Sequence, residues 1–173
     1  MDQQFIRECM DYNPKTGVCT WRKRPRHHFE TDSKYRSINS RCAGQKMGTP
    51  NKAGGYLVVR INKRLYRLHR LIYLWMTGDL PYFVDHMNRN TQDNRWNNLR
   101  AATHSQNQAN NGRRRTLPYR GITLRRSKYV AQCSYKGRPQ YLGSFNNMED
   151  AARAYDQRAK QLFGEFAVLN FPE

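Results

Sequence analysis

Acidic residues are scarce in this chain: 13 Asp and Glu stand against 31 Lys and Arg in 173 residues, a net charge of +18. Such a balance points to a polyanionic partner. Cations that displace condensed counterions from phosphates gain affinity without reading any sequence. A membrane surface fits less well, because no long basic amphipathic helix is visible. Long hydrophobic runs are also missing; none approaches the ~20 residues needed to span a bilayer. Met1-Asp2-Gln3-Gln4 does not read as a secretory leader. The four cysteines, Cys9, Cys19, Cys42 and Cys133, form no Cys-x-x-Cys pair. That spacing argues against a zinc ribbon and a disulfide framework. They read as reduced thiols packed as small hydrophobes, as expected in a cytoplasm. Hydrophobic content is 38%, low for one large core and adequate for two compact modules.

What is present is patterned. Phe5, Ile6, Cys9 and Met10 share one helical face. Tyr12 to Gly17 is turn chemistry, and Val18 to Trp21 reads as a short strand. Residues 22–54 are polar, basic and Gly-containing, and the expectation there is loops. Tyr56 to Asn62 alternates, and a tight turn near Lys63-Arg64 returns the chain as a hairpin. Leu68, Leu71, Ile72 and Trp75 then fall at helical spacing, with Gly78 as the stop. Tyr82 to His86 is a short apolar strand with a polar end, and Trp96 to Arg100 the expected second strand. Thr103-x-x-Gln106 is a capping box, so a helix should run from Thr103 to about Asn111. Residues 112–118 read as a basic linker. From Gly112 to Met148 there are nine Lys and Arg and no acid. Three short strands follow, then a helix capped by Asn147 and Asp150 and ended by Gly164.

The strand–loop–strand–helix order carries the chemistry. Asp85 and Asn107 offer oxygen ligands to one hard divalent cation, for which Mg²⁺ is suited because it keeps most of its waters. Mn²⁺ or another divalent ion would serve the same donors. His86 is the expected general base, since neutral imidazole can take a proton from water at cellular pH. Asn98 is its expected support, accepting from the far ring nitrogen. Adjacent residues of a regular strand point to opposite sides, so both Asp85 and His86 reach one phosphate only if the strand ends there. Singly, each residue reads as ordinary surface chemistry; the set in this setting does not. His69 reads as a capping or packing residue, with His69 or Arg70 near the phosphate as the functional option, and His104 as a candidate ligand or phosphate contact. His27-His28 reads as a solvated loop.

The set resembles the HNH endonucleases of the phage and intron homing type, on Val84-Asp85-His86, Asn98-Leu99-Arg100, Thr103 and Asn107. His69-Arg70-Leu71 and Asn94 to Asn98 add to it. The resemblance implies an α+β, ββα-metal module, with Asp85 and Asn107 as ligands, His86 as base and Asn98 supporting it. It departs from the family at Asn88-Arg89, where Asp-Gly is common.

Residues 119–170 resemble the plant ethylene-response-factor (AP-two type) DNA-binding domain. Tyr119 to Ile122, Tyr141 to Phe145, Glu149 to Asp156, Leu162 to Ala167 and Leu169-Asn170 carry the likeness. It implies a small three-stranded antiparallel sheet packed on one helix. It places DNA contacts on Arg120, Thr123, Arg125, Gln132, Ser134 and Tyr141. Arg126 and Lys128 add charge beside them, as do Arg113, Arg114 and Arg115 in the linker.

The expected organisation is thus a nuclease module over 1–111, a linker over 112–118 and a DNA-binding domain over 119–173. The expected function is site-specific, metal-assisted hydrolysis of duplex DNA. The protein is expected to act as a monomer in a bacterial host's cytoplasm, with no membrane partner and no small-molecule substrate. The alternative is a catalytically silent DNA-binding regulator. An RNA-binding role is disfavoured by the lack of an aromatic ribonucleoprotein signature.

Overall fold

The structure is a computed structural model that describes residues 1–52, 55–110 and 117–172. It divides into two compact units, Met1–Ala101 and Ala102–Glu173. The class is α+β, with small sheets in each unit.

The first unit opens with α1 (Gln3–Cys9), capped by Asp2, whose carboxylate accepts from the Phe5 amide. Strands β1 (Met10–Tyr12) and β2 (Cys19–Trp21) pair antiparallel around the Asn13–Gly17 turn. Asn13 builds that turn by accepting from the amides of Lys15 and Thr16. Helix α2 (Asp32–Cys42) lies where the sequence predicts loops. It escapes a periodicity argument because its one buried residue is polar. Asn39 is tied through its side-chain amide to the Arg24 backbone, accepting at 2.9 Å and donating at 3.0 Å. Thr31 caps it from the Lys34 amide.

Strands β3 (Thr49–Pro50), β4 (Leu57–Ile61) and β5 (Arg64–Arg67) form an antiparallel sheet in the order β3-β4-β5. The β4–β5 turn is Asn62-Lys63, one residue earlier than expected, with both residues at positive φ. Two such residues match the twist of the strands they join. Helix α3 (Leu68–Thr77) follows at once, and Gly78 ends it at φ +79°. Leu68, Leu71, Ile72 and Leu74 are buried with Ile6, Met10, Met47 and Ile61 in one core. Strand β6 (Phe83–His86) pairs with β7 (Leu99–Ala102). A short 3₁₀ turn, Trp96–Asn98, precedes β7 where the second strand was expected to begin.

In the second unit the capping box closes both ways. Thr103 accepts from the Gln106 amide, and the Gln106 side chain accepts from the Thr103 amide at 2.8 Å. It starts α4 (His104–Asn110). Strands β8 (Ile122–Arg125), β9 (Lys128–Tyr135) and β10 (Arg138–Phe145) form an antiparallel sheet in the order β10-β9-β8. Helix α5 (Met148–Phe163) packs on it through Ala151, Ala152, Tyr155, Ala159 and Phe163. Gly121 is required there: a Cβ at this residue, with φ +75°, would stand 2.0 Å from the Tyr155 ring. Buried Asp156 fixes the chain end, accepting from the amides of Asn170 and Phe171. Asn170 in turn accepts from the Arg120 amide and donates to its carbonyl.

The compact boundary at 101/102 differs from the domain limit expected at 111/112. The Thr103-capped helix goes with the second unit because Ala109, its one apolar residue, is buried in that unit's core. Within the expected linker, Arg113, Arg114 and Arg115 lie outside the described residues.

Candidate active site

Strand β6 ends at the chemistry. Val84 faces the core, and Asp85 and His86 are both buried, at 6% and 3% exposure. The ladder stops there: the Met87 amide donates to the Asn98 carbonyl, and Arg89 takes a positive φ of 64°. The expected irregular strand end is present.

The carboxylate of Asp85 is held by Arg100, whose Nε and Nη2 both donate to Oδ2 at 3.1 Å. This pair is largely desolvated, so it is less screened by salt than a surface ion pair. Motif spacing gives Arg100 no task of its own. Charge complementarity across a strand pair is the signal that could have found it.

The partner of His86 is Asn94, not Asn98. Nε2 lies 3.0 Å from the Asn94 side-chain oxygen. An amide oxygen only accepts, so in this pair Nε2 carries the proton and Nδ1 is the basic ring nitrogen. The rings of His69 and Tyr56 pack around the imidazole, with centroids 4.8 and 5.9 Å away. Burial draws the His86 pKa below its ordinary value, while the Asn94 bond and the Asp85 charge oppose that shift. That direction favours the neutral imidazole.

Asn98 serves the loop instead. Its side-chain oxygen accepts from the Asn88 amide, and its nitrogen donates to the Asn88 side chain and the Asp93 carbonyl. It thereby spans a connection that has few apolar anchors. Asn94 is braced from behind: the Tyr12 hydroxyl donates to its carbonyl at 2.8 Å. Gly17 leaves room for this strip, because a Cβ there would meet the Asn94 carbonyl carbon and the Arg95 nitrogen at 2.7 Å. The N-terminal turn thus positions the residue that holds the His86 ring. Sequence reasoning misses Asn94 because it sits among five asparagines between residues 88 and 98.

Among the other candidates, His69 is buried in α3, and burial with the neighbouring His86 takes its pKa down to about 3. It is a neutral packing partner of the base and not a cap. Arg70 donates to the carbonyls of Pro81 and Tyr82, closing the α3–β6 connection. Asn107 lies on α4 in the second unit, half-buried, with its amide bonded to the Thr103 carbonyl. Its side chain makes no hydrogen bond among the described residues. His104 is exposed, with Nε2 at 3.2 Å from the Gln108 amide nitrogen.

Asp85 lies in the first unit and Asn107 in the second, and each carries a hard oxygen donor of the kind a divalent cation takes. Among the described residues one cluster of three His, Cys, Asp or Glu side chains occurs elsewhere, at Glu8, His27 and His28. His28 is not solvated as expected: its side chain is 3% exposed, bonded to Glu8 at 2.7 Å and accepting from Arg24. That packing accounts for the cluster without an ion.

In the second unit Arg125, Arg126, Lys128, Ser134 and Tyr141 are exposed. Tyr141 donates to the Ser144 hydroxyl. Arg120, Thr123 and Gln132 are half-buried instead. Arg120 donates to the Gln108 carbonyl, and its Nη1 and the Thr123 hydroxyl are buried without a hydrogen-bond partner among the described residues.

Residues 66–109 match the sequence model of a family described as HNH endonuclease. The chain carries an HNH endonuclease domain. That segment holds Asp85, His86, Asn98 and Asn107, and also Asn94 and Arg100. The chain is similar to an uncharacterized HNH endonuclease of Acanthamoeba polyphaga mimivirus, 34% identical over 108 residues, which cover 60% of this chain and 57% of the relative. It is also similar to an AP2-like ethylene-responsive transcription factor of Arabidopsis thaliana, 40% identical over 70 residues, covering 34% of this chain and 23% of that one. A further ethylene-responsive transcription factor of the same plant is 44% identical over 64 residues, covering 35% of each chain. The architecture is an HNH domain followed by an AP2-like one. The chain spans little more than half of the viral relative and about a third or less of the plant ones.

Proposed function

We propose that this protein is a metal-dependent DNA endonuclease of the homing type, which hydrolyses phosphodiesters in duplex DNA and leaves 5′-phosphate and 3′-hydroxyl ends. The observation that carries this reading is the buried His86, held by Asn94 and adjacent to the Asp85 carboxylate at a strand end within an HNH segment. Asp85 and Asn107 would hold one divalent cation, with Mg²⁺ the physiological choice. When bound, the cation supplies Lewis-acid polarisation of the scissile phosphate and charge neutralisation at the leaving oxygen.

The chain's own residues do the rest. His86 takes a proton from the attacking water at Nδ1, a gain of roughly 10²–10⁴-fold. Asn94 stabilises the resulting imidazolium by accepting from Nε2. Arg100 keeps the Asp85 carboxylate in one orientation. The exposed cations Arg125, Arg126 and Lys128 anchor the duplex through its phosphates. The AP2-like unit supplies the site preference, by similarity to plant proteins named as transcription factors.

The test is a supercoiled plasmid incubated with the protein and Mg²⁺, with and without chelator. Nicked or linear product is expected with Mg²⁺ alone, and its disappearance in His86→Ala at unchanged DNA affinity. Cutting in chelator, or by His86→Ala at the wild-type rate, would reject the mechanism.

A further inference from the structure

The imidazole of His86 belongs to a run of packed rings within the first unit. The Tyr56 ring lies against both histidines of that run, with centroids 5.2 Å from His69 and 5.9 Å from His86. The run leads from the interior to the surface. His69 and His86 are 2% and 3% exposed, Tyr56 is half-buried, and Arg67 at its outer end is exposed. Arg67 is the last residue of β5 and pairs with Val58 of β4. Its guanidinium carbon stands over the Tyr56 ring, 4.6 Å from the centroid.

That stack orders the guanidinium without using its donors. The planar group rests its face on the ring, and the N–H edges of the fork stay free. Among the described residues Arg67 makes no ion pair and donates no hydrogen bond. Its neighbours are occupied: Arg70 by the carbonyls of Pro81 and Tyr82, and Arg100 by the Asp85 carboxylate. A free arginine side chain loses rotamer freedom when it binds; a stacked one has lost part of it beforehand. Such a fork suits an oxyanion that can accept two parallel N–H bonds. In a chain of net charge +18 with an HNH endonuclease domain, that oxyanion is a phosphate of DNA.

We propose that Arg67 grips a backbone phosphate of the strand being cut and so sets the scissile bond in register with His86. This deepens the nuclease reading and rests on His86 being the base. Losing the grip then costs the chemical step more than it costs binding, because a small misplacement of the reacting atoms is expensive while one phosphate contact among many is not.

The experiment uses the full chain. Cleavage of supercoiled plasmid with Mg²⁺ is followed with protein in saturating excess, so that the rate reports the chemical step. Affinity for duplex DNA is measured separately, in chelator, at several salt concentrations. Arg67→Ala should cut about 100-fold more slowly. Its slope of log affinity against log salt should fall by about 0.9, the share of one phosphate. Arg67→Lys keeps the charge and loses the fork, so it should keep the wild-type slope while its rate stays close to that of Arg67→Ala. Arg67 is exposed, so both variants should stay folded. Fluorescence checks this, since Trp21, Trp75 and Trp96 all lie in the first unit. Wild-type cutting by either variant would overturn the proposal. So would slow cutting by Arg67→Ala at the wild-type slope, the result expected of a residue that only braces Tyr56. A wild-type protein that does not cut would reject the nuclease reading, and the slope would still report whether Arg67 meets a phosphate.

Discussion

At the scale of single residues, the base is governed by burial and one amide. Because His86 is drawn below its ordinary pKa, the acid limb of the cleavage rate should lie below about pH 6.5. Asn94 opposes that shift, so Asn94→Ala should move the limb to still lower pH and reduce kcat. A limb that stays in place would show that Asn94 does not bond the reacting imidazole. His69 makes a separate prediction about stability. Its folded pKa, about 3, lies below its unfolded value, so protons favour the unfolded chain. Stability is retained above about pH 6.5 and falls below it, at roughly 1.4 kcal/mol per pH unit until about pH 3. Urea unfolding at pH 7 and pH 5, followed by tryptophan fluorescence, should show a larger drop in the wild type than in His69→Phe. Equal drops would contradict the assignment.

At the scale of elements, the 88–98 connection is held by polar side chains, and Asn98 is its hub. Asn98→Ala removes bonds to both Asn88 and Asp93, including those to the Asn88 amide and the Asp93 carbonyl, which are part-buried. A destabilisation of about 1–3 kcal/mol is expected by denaturant titration. A change below the error of that titration would deny Asn98 its structural part. Elements with apolar period are legible in the sequence: α3, the β4–β5 hairpin and α5 stand within a residue or two of expectation. So is the capping box of α4, because its two bonds are local. Helix α2 is not legible, since its order comes from Asn39 and Arg24, fifteen residues apart. In the candidate site, the strand end that carries Asp85 and His86 follows from pattern and residue type. Asn94 and Arg100 do not, because which of several asparagines meets a histidine depends on a turn whose path only the fold sets.

At the scale of the whole molecule, the charge of +18 has a direct consequence for DNA binding. Affinity for duplex DNA should fall steeply with salt, and the slope should count the phosphates neutralised. Replacing Arg125, Arg126 and Lys128 together with Ala should lower the slope of log affinity against log salt by up to about 0.9 for each phosphate no longer neutralised. An unchanged slope would place the anchoring surface elsewhere. No described helix is long and apolar enough to cross a membrane. The central proposal is that one divalent cation is held at the end of β6 with the Asp85 carboxylate as a ligand. Counting bound Mn²⁺ per chain by electron paramagnetic resonance, in the wild type and in Asp85→Ala, tests it most directly. The account predicts one ion per wild-type chain and none at the same concentration in Asp85→Ala; two ions, or one ion retained without Asp85, would contradict it.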